Sequence, residues 1–380
     1  MKTIIIISFS DLFRDPRVNR QIRFLKDKYV VIAVGFVNPN IDGVEFINIS
    51  PQSTNLFLRI YPAFLLLIGK YEKYYWRKPE IIYLHEKLNT INSDLIIVND
   101  IDPLPLSIKL AEGKPSQIIF DAHEYAPLEF EDMWIFKMFF QGYKTYLCNQ
   151  YIPRSNAMTT VCDYIAETYG KENNIKPVVI TNAPEYEDLY PNYIDRNSRK
   201  IQLIHHGAAI KSRKIENMIK MMNFLDDRFE LNFMLVSTDN HYISHLKYLA
   251  RNNKNIHFLS PVLMRDLPKF TNQFDIGLFL LEPTNFNYRY ALPNKLFEFI
   301  QARLAVAISP SPEMAKIVKQ YDCGVVAEDF SPQALAKSLM QLDIDKINYY
   351  KQRSHEAAYE LSAEKNKEKL LEIVASVLQE

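Results

Sequence analysis

Two segments of the chain combine charged side chains with the local geometry that can hold a phosphorylated ligand. In residues 201–219 an apolar run ends at His205-His206-Gly207, and Lys211, Arg213 and Lys214 lead into a helical pattern. Gly207 permits a tight exit from a strand. The free N–H groups and positive dipole end of the following helix suit an anion such as a diphosphate. An ordinary strand-to-helix turn with solvated lysines fits the same residues. In residues 287–302, Pro293 and Asn294 mark a helix start, Lys295 sits in its first turn and Glu298 follows one turn later. Leu296, Phe299 and Ile300 face a core, which leaves Asn294, Lys295 and Glu298 at the mouth of a binding cleft. A carboxylate there can accept both hydrogen bonds of a ribose diol, while Lys295 meets phosphate. A surface Lys–Glu pair at i,i+3 is the plainer reading.

The first half of the chain has its own polar residues at the ends of apolar runs: Asp15-Pro16-Arg17, Asn99-Asp100, Asp121-Ala122-His123-Glu124, Cys162-Asp163 and Thr181-Asn182. Ser237-Thr238 is a further such end in the second half. Ligands of open parallel sheets bind beyond the carboxyl ends of the strands, so these residues are site candidates. Asp15-Pro16-Arg17 also reads as a helix cap, and His123 also reads as a structural histidine. His205-His206 reads as half core and half cleft. His241 and His245 could share a helix face as the start of a zinc site, but no third ligand is evident and a solvated helix is favoured.

The elements that must position these residues alternate. Strand runs fall at 3–7, 30–34, 95–98, 117–120, 157–161 and 177–180, then at 201–205, 231–236, 256–259, 275–281 and 304–308. Helical patterns lie between them, for example at 17–26, 215–225, 243–252, 295–301, 313–320 and 332–342. Such alternation means α/β architecture with parallel sheets covered on both faces. The polar, proline-containing segment 184–200 divides the chain into a first domain at 1–183 and a second at 201–345. The 380 residues, 48% hydrophobic, are enough for two cores.

Composition excludes several classes. The nine glycines never cluster, which removes the G-x-G-x-x-G fingerprint and the P-loop. Lysine and arginine balance aspartate and glutamate at 45 each, so no nucleic-acid partner is expected. Three scattered cysteines suggest neither a disulfide framework nor a zinc pattern and fit a cytoplasmic protein. The start, MKTIIIISFSD, reads as a buried strand rather than a signal peptide. The apolar run 60–68 is under half of the ~20 residues a spanning helix needs. The stretches 56–79 and 133–154 mix aromatics and aliphatics with lysine and arginine. They read either as buried helices with a few snorkelling cations or as a basic amphipathic face for a peripheral site on an anionic membrane.

DPRV (15–18), ND-x-D-x-LP (99–105), DAHE (121–124), TV-x-D (160–163), the loop Gly207–Lys214 and PNKLFEF (293–299) together resemble group 1 (family 4-like) glycosyltransferases. The similarity runs in order from the first strand to about residue 330. It implies the GT-B fold, with two Rossmann-like doubly wound parallel-sheet domains facing a cleft. It also implies a final helix at 361–380 that packs back on the first, acceptor domain, while 201–345 holds the nucleotide-sugar donor. The activity implied is transfer of a sugar, with retention and without metal or cofactor, to a glycan or lipid-linked acceptor in surface polysaccharide synthesis.

By that resemblance Glu298 is the second glutamate of an E-x7-E motif and binds the donor ribose, while the first glutamate is replaced by Tyr290. Gly207, Arg213, Lys214, Asn294 and Lys295 complete the donor side, with Ala208 where an arginine is usual. Arg213 stabilises the leaving diphosphate. His123 lines the reaction centre as a neutral imidazole, with Glu124 beside it. Asp15, Arg17, Asn99 and Asp100 line the acceptor side. Arg303 and Ala305 replace a common Gly-x-Pro turn, whose geometry should be altered. A sugar-nucleotide epimerase on the same fold and a non-catalytic binding relative remain as alternatives, the latter because of Tyr290 and Ala208.

Overall fold

The computed structural model describes residues 1–49, 60–196, 198, 200–237 and 240–380. Thr238, the beginning of the 56–79 stretch, and Asn197 and Arg199 of the 184–200 segment lie outside the described residues. The chain forms two compact units. One comprises residues 1–181 with 285–287 and 367–380, and the other comprises 182–284 with 288–366.

The first unit is built on β1 (Thr3–Ser8), β2 (Val30–Gly35), β3 (Glu45–Asn48), β4 (Leu95–Asn99), β5 (Gln117–Ala122), β6 (Ala157–Thr160) and β7 (Val178–Val179). They form one sheet in the order β3-β2-β1-β4-β5-β6-β7, with every pairing parallel. The central strands are apolar throughout because helices cover both faces. Asp15 starts the helix Pro16–Leu25, accepting from the Arg17 and Val18 amides, and Pro16 presets the first turn. Val18, Ile22 and Leu25 then fall on one buried stripe against Ile4, Ile6 and Ile97. Leu370, Val374 and Leu378 of the helix Ala363–Leu378 join the same core.

The second unit repeats the design with β8 (Ile201–Ala208), β9 (Phe229–Val236), β10 (Ile256–Phe258), β11 (Ile276–Phe279), β12 (Ala305–Ile308) and β13 (Gly324–Val326). The order is β10-β9-β8-β11-β12-β13, again all parallel. Each sheet therefore reverses its winding beside its first strand, between β1 and β4 and between β8 and β11. Strand order reversal is where an open α/β sheet forms its ligand crevice. The edge strands β3 and β13 escape the sequence reading because they are only half buried and short.

The helix Asn294–Gln301 is buried more completely than one apolar stripe requires. Lys295, Leu296, Phe297, Phe299, Ile300 and Gln301 are all buried. Its close approach to the sheet is allowed by Gly277 on β11, where an added Cβ would lie 2.2 Å from the Phe299 ring. After this helix Arg303 takes a positive φ of 59°, the conformation a glycine normally supplies. Its guanidinium is fully buried and donates to the carbonyls of Gln301, Leu189 and Glu187, which offsets the backbone strain. Arg303 thus takes the glycine-like backbone conformation at this turn, and the expected change of geometry is not seen at this residue.

A methyl group at residue 277 has no space without moving Phe299. Gly277→Ala is expected to lower stability by roughly 1–3 kcal/mol, read as a fall in the urea midpoint of unfolding. An unchanged midpoint would mean that this contact does not set the helix position.

Candidate functional site

At the carboxyl edge of the first sheet, register places four polar residues in a row: Ser8 beside Asn99, Asn99 beside Asp121 and Asp121 beside Thr159. Asp121 is buried and carries the densest set of partners. Arg17 grips it with Nε at 2.8 Å and Nη2 at 2.5 Å, Thr159 donates at 2.7 Å and Gln21 at 3.3 Å. Burial works against this carboxylate, but Arg17 and His123 hold its pKa far below the usual range.

His123 extends from this row. Asn99 donates its amide to Gln21, so its oxygen faces the His123 Nε2 as an acceptor at 3.1 Å. The Nδ1 faces Asp100 at 3.5 Å. Both ring nitrogens thus meet acceptors. Burial disfavours the charge, yet Asp100 and Asp121 outweigh it and push the pKa up to about 9. His123 is an imidazolium at neutral pH, which corrects the expectation of a neutral ring. Asp100 reaches it by adopting a positive φ of 64°, and its carboxylate also accepts the His123 amide.

Asn99, Asp100, His123 and Glu124 line a cavity of about 320 Å³ within this unit. Asp102, Glu129, Lys144 and Tyr169 line it too, and sequence reasoning missed them. Lys144 bridges Asp102 at 2.7 Å and Glu129 at 3.5 Å. Asp15 and Arg17 are not among the lining residues. Asp15 is spent on the helix cap and on Ser10, and Arg17 on Asp121 and the Ile180 carbonyl. Both therefore support the cavity rather than form its wall.

In the second unit β8 runs to Ala208, paired there with Val236 of β9, with Gly207 at a φ of 108°. Lys295 lies against that glycine: a Cβ there would sit 3.5 Å from its Nζ. Lys295 is buried, which removes the plainer reading of a surface Lys–Glu pair, because the helix packs against β11 and β12. Its Nζ lies 3.2 Å from His205 Nε2 and 4.6 Å from the centre of the Phe279 ring. Burial, reinforced by Arg213, brings its pKa down to about 7 against the pull of Glu298.

His205 and His206 are both buried, which corrects the half-core reading. His205 Nδ1 lies 2.9 Å from the Leu278 carbonyl and must carry the hydrogen, leaving Nε2 as an acceptor. His206 lies 3.7 Å from Glu298 through Nδ1, and burial drives its pKa down to about 3. Arg213 makes no ion pair or side-chain hydrogen bond among the described residues. Lys214 is held by Glu282 at 2.7 Å. Asn294 begins the helix, and Tyr290 is half buried just before it with Arg289 over its ring. Among the described residues no group of three or more His, Cys, Asp or Glu side chains could hold a metal ion.

Residues 200–345 match the family model described as glycosyl transferases group 1. Comparison with curated proteins finds no match. Among solved structures, HepE from Anabaena, determined with UDP and glucose, has a TM-score of 0.71 and 11% identity over 99% of this chain and 100% of that chain. Sucrose-phosphate synthase from Thermosynechococcus elongatus has a TM-score of 0.74 and 12% identity, with 100% of both chains covered. WaaG, a glycosyltransferase involved in lipopolysaccharide biosynthesis, has a TM-score of 0.68 and 14% identity over 98% of this chain and 99% of that chain. Residues 200–345 are thus similar to group 1 glycosyl transferases, and the two Rossmann-like sheets are those of the GT-B fold, as expected from the sequence.

His123 should titrate near pH 9 when followed by its imidazole NMR resonance, and Asp100→Asn should move the midpoint down toward ~6.5. The folded protein holds this proton more tightly than the unfolded chain. The resulting stability is fully present below about pH 6.5 and is lost as pH rises through about 9. A wild-type midpoint at or below 7 would overturn the imidazolium assignment.

Proposed function

We propose that this protein, similar to group 1 glycosyl transferases at 200–345, transfers a sugar from a nucleotide-sugar donor to a glycan or lipid-linked acceptor with retention and without metal. The observation that carries the reading is the cation cluster at the reversal point of the second sheet. Lys295, in the first turn of the helix Asn294–Gln301, stands beside Gly207, the charge of Arg213 acts on it, and Glu298 lies one turn on. That set suits a diphosphate followed by a ribose. HepE, solved with UDP and glucose, shares the fold.

In this reading the bond from the sugar to the diphosphate breaks through an oxocarbenium-like state while the acceptor oxygen adds on the same face. Arg213, Lys295 and the helix N-terminus stabilise the departing diphosphate, which takes the acceptor proton. His123, being charged and with Nε2 committed to Asn99, offers only its Nδ1–H, 3.5 Å from Asp100, to the reacting sugars and does not act as a base. The cavity beside it takes the acceptor. Glu124 lines that cavity and orients the acceptor hydroxyls.

A second observation favours action at the cytoplasmic face of a membrane. The helix Ile60–Leu67 packs against residues 136–140. Together they expose Phe64, Leu67, Ile68, Met133, Trp134, Ile135 and Met138, ringed by exposed Lys70, Lys73, Arg77 and Lys137. An apolar patch rimmed by cations fits an anionic bilayer surface. No helix among the described residues is long and apolar enough to cross a membrane.

Thermal-shift measurements with UDP-, GDP-, ADP-, CMP- and dTDP-sugars test the donor site. The right donor at ~100 times its dissociation constant should stabilise by ~2.7 kcal/mol, and Glu298→Ala should abolish most of that shift. His123→Ala should keep donor binding and lose transfer by ~10²–10⁴-fold. No shift with any nucleotide would remove the transferase reading. For the membrane surface, anionic vesicles should blue-shift the fluorescence of Trp134, which is 65% exposed. Trp134→Ser with Met138→Ser should prevent flotation with the vesicles. Equal flotation of the double variant would refute the assignment.

A further inference from the structure

The surroundings of Lys295 are unusual for a phosphate-binding lysine. Its side chain is 6% exposed, and among the described residues no carboxylate lies within ion-pair distance of it. The groups facing it come from four elements. His205 on β8 offers only a nitrogen lone pair, since its other nitrogen is committed to the Leu278 carbonyl. His206 on the same strand is uncharged, and its Nε2 has no hydrogen-bond partner. Phe279 on β11 presents a ring face, and Arg213 after β8 contributes a second positive charge. Glu298, on its own helix, is the one group whose field favours the ammonium.

A buried cation normally has a carboxylate or coordinates an anion. Here, among the described residues, no carboxylate pairs with the amine directly, and Glu298 acts on it only through its field. We propose that Lys295 rests as an uncharged amine hydrogen-bonded to His205 and takes up one proton when a diphosphate oxygen enters beside Gly207. This inference rests on the diphosphate assignment above. The proton comes from solvent, the amine lone pair accepts it, and the resulting ammonium pairs with the phosphate oxygen. His205 is the positioning residue, because its fixed tautomer presents an acceptor and cannot itself supply a charge.

The lowered value near 7 agrees with this geometry and puts the device within working range. A fixed positive pair, Arg213 with a charged Lys295, would repel itself in the empty site. An amine that charges on demand avoids that repulsion and strengthens the site only when the ligand is present.

Isothermal titration of uridine diphosphate and of inorganic pyrophosphate, in HEPES, Tricine and Tris at about pH 8, reads proton uptake directly. The oxygens of uridine diphosphate are already ionised there, inorganic pyrophosphate keeps one proton whose release offsets uptake and so serves only to test binding, and His205 and His206 stay neutral. Wild type should take up close to one proton. Lys295→Arg, charged throughout, should bind within ~10-fold of wild type with uptake near zero. Affinity of wild type should fall by up to ~10-fold per pH unit above 7, while that of Lys295→Arg stays flat.

A ligand-free readout accompanies it. Lys295 loses its proton earlier in the folded protein than in the unfolded chain, so its contribution to stability rises with pH between about 7 and 10. The difference in unfolding midpoint between wild type and Lys295→Met should grow across that window in favour of wild type. Binding with no proton uptake, or parallel stability profiles, would overturn the proton device while leaving the donor site intact. No heat with either ligand would remove the diphosphate site and this proposal with it. His205→Gln, which keeps an acceptor but frees its orientation, should reduce uptake; unchanged uptake would remove the positioning role.

Discussion

Asp121 keeps a negative charge inside the first sheet, and the local architecture is organised to permit it. Two nitrogens of Arg17, the Thr159 hydroxyl and the Gln21 amide all point at one carboxylate from one strand and one helix. Removing one member of such a buried pair strands the other, at a cost of about 3–5 kcal/mol. The pair ties the helix Pro16–Leu25 to β5, and the remaining field of Asp121, with that of Asp100, keeps His123 protonated. The charge on His123 is thus set by Asp100, which solvent reaches, together with Asp121, which it does not.

The second unit solves the opposite problem. Its sheet reversal gathers Arg213, Lys295 and two uncharged histidines with one carboxylate, so protonating Lys295 leaves an excess of positive potential where an anion would lie. The first unit is internally compensated: Lys144 with Asp102 and Glu129, His123 with Asp100 and Asp121. A pocket whose cations are paired and whose carboxylates and Asn99 can accept hydroxyl protons suits a neutral polyol, while a cationic one suits a diphosphate. The same strand order in both units therefore presents two different chemistries, and the difference lies in side chains at the strand ends.

Much of this was legible in the chain. The central strands declared themselves because burial on both faces demands unbroken apolar runs such as Ile4–Ile7 and Leu95–Val98. Gly207, Arg213, Lys295 and Glu298 could be picked out because a strand exit and a helix start have local signatures. The edge strands β3 and β13 could not, since a half-buried strand needs no such run. Nor could the Asp102–Lys144–Glu129 cluster, whose members are up to 42 residues apart and marked by no local pattern.

Sequence by itself determined the alternation of elements, the order of motifs along them and the absence of a glycine-rich phosphate loop. These are local properties, set by periodicity and by backbone preference. Tertiary structure alone decided the charge states. Lys295 looked like a cation at a cleft mouth or in a surface pair, and its helix buried it against β11 beside a histidine with no charge to offer. His123 looked like a neutral ring, and two carboxylates from separate strand ends made it an imidazolium. A proton's free energy depends on solvent access and on every charge nearby, and both are fixed only when distant parts of the chain come together.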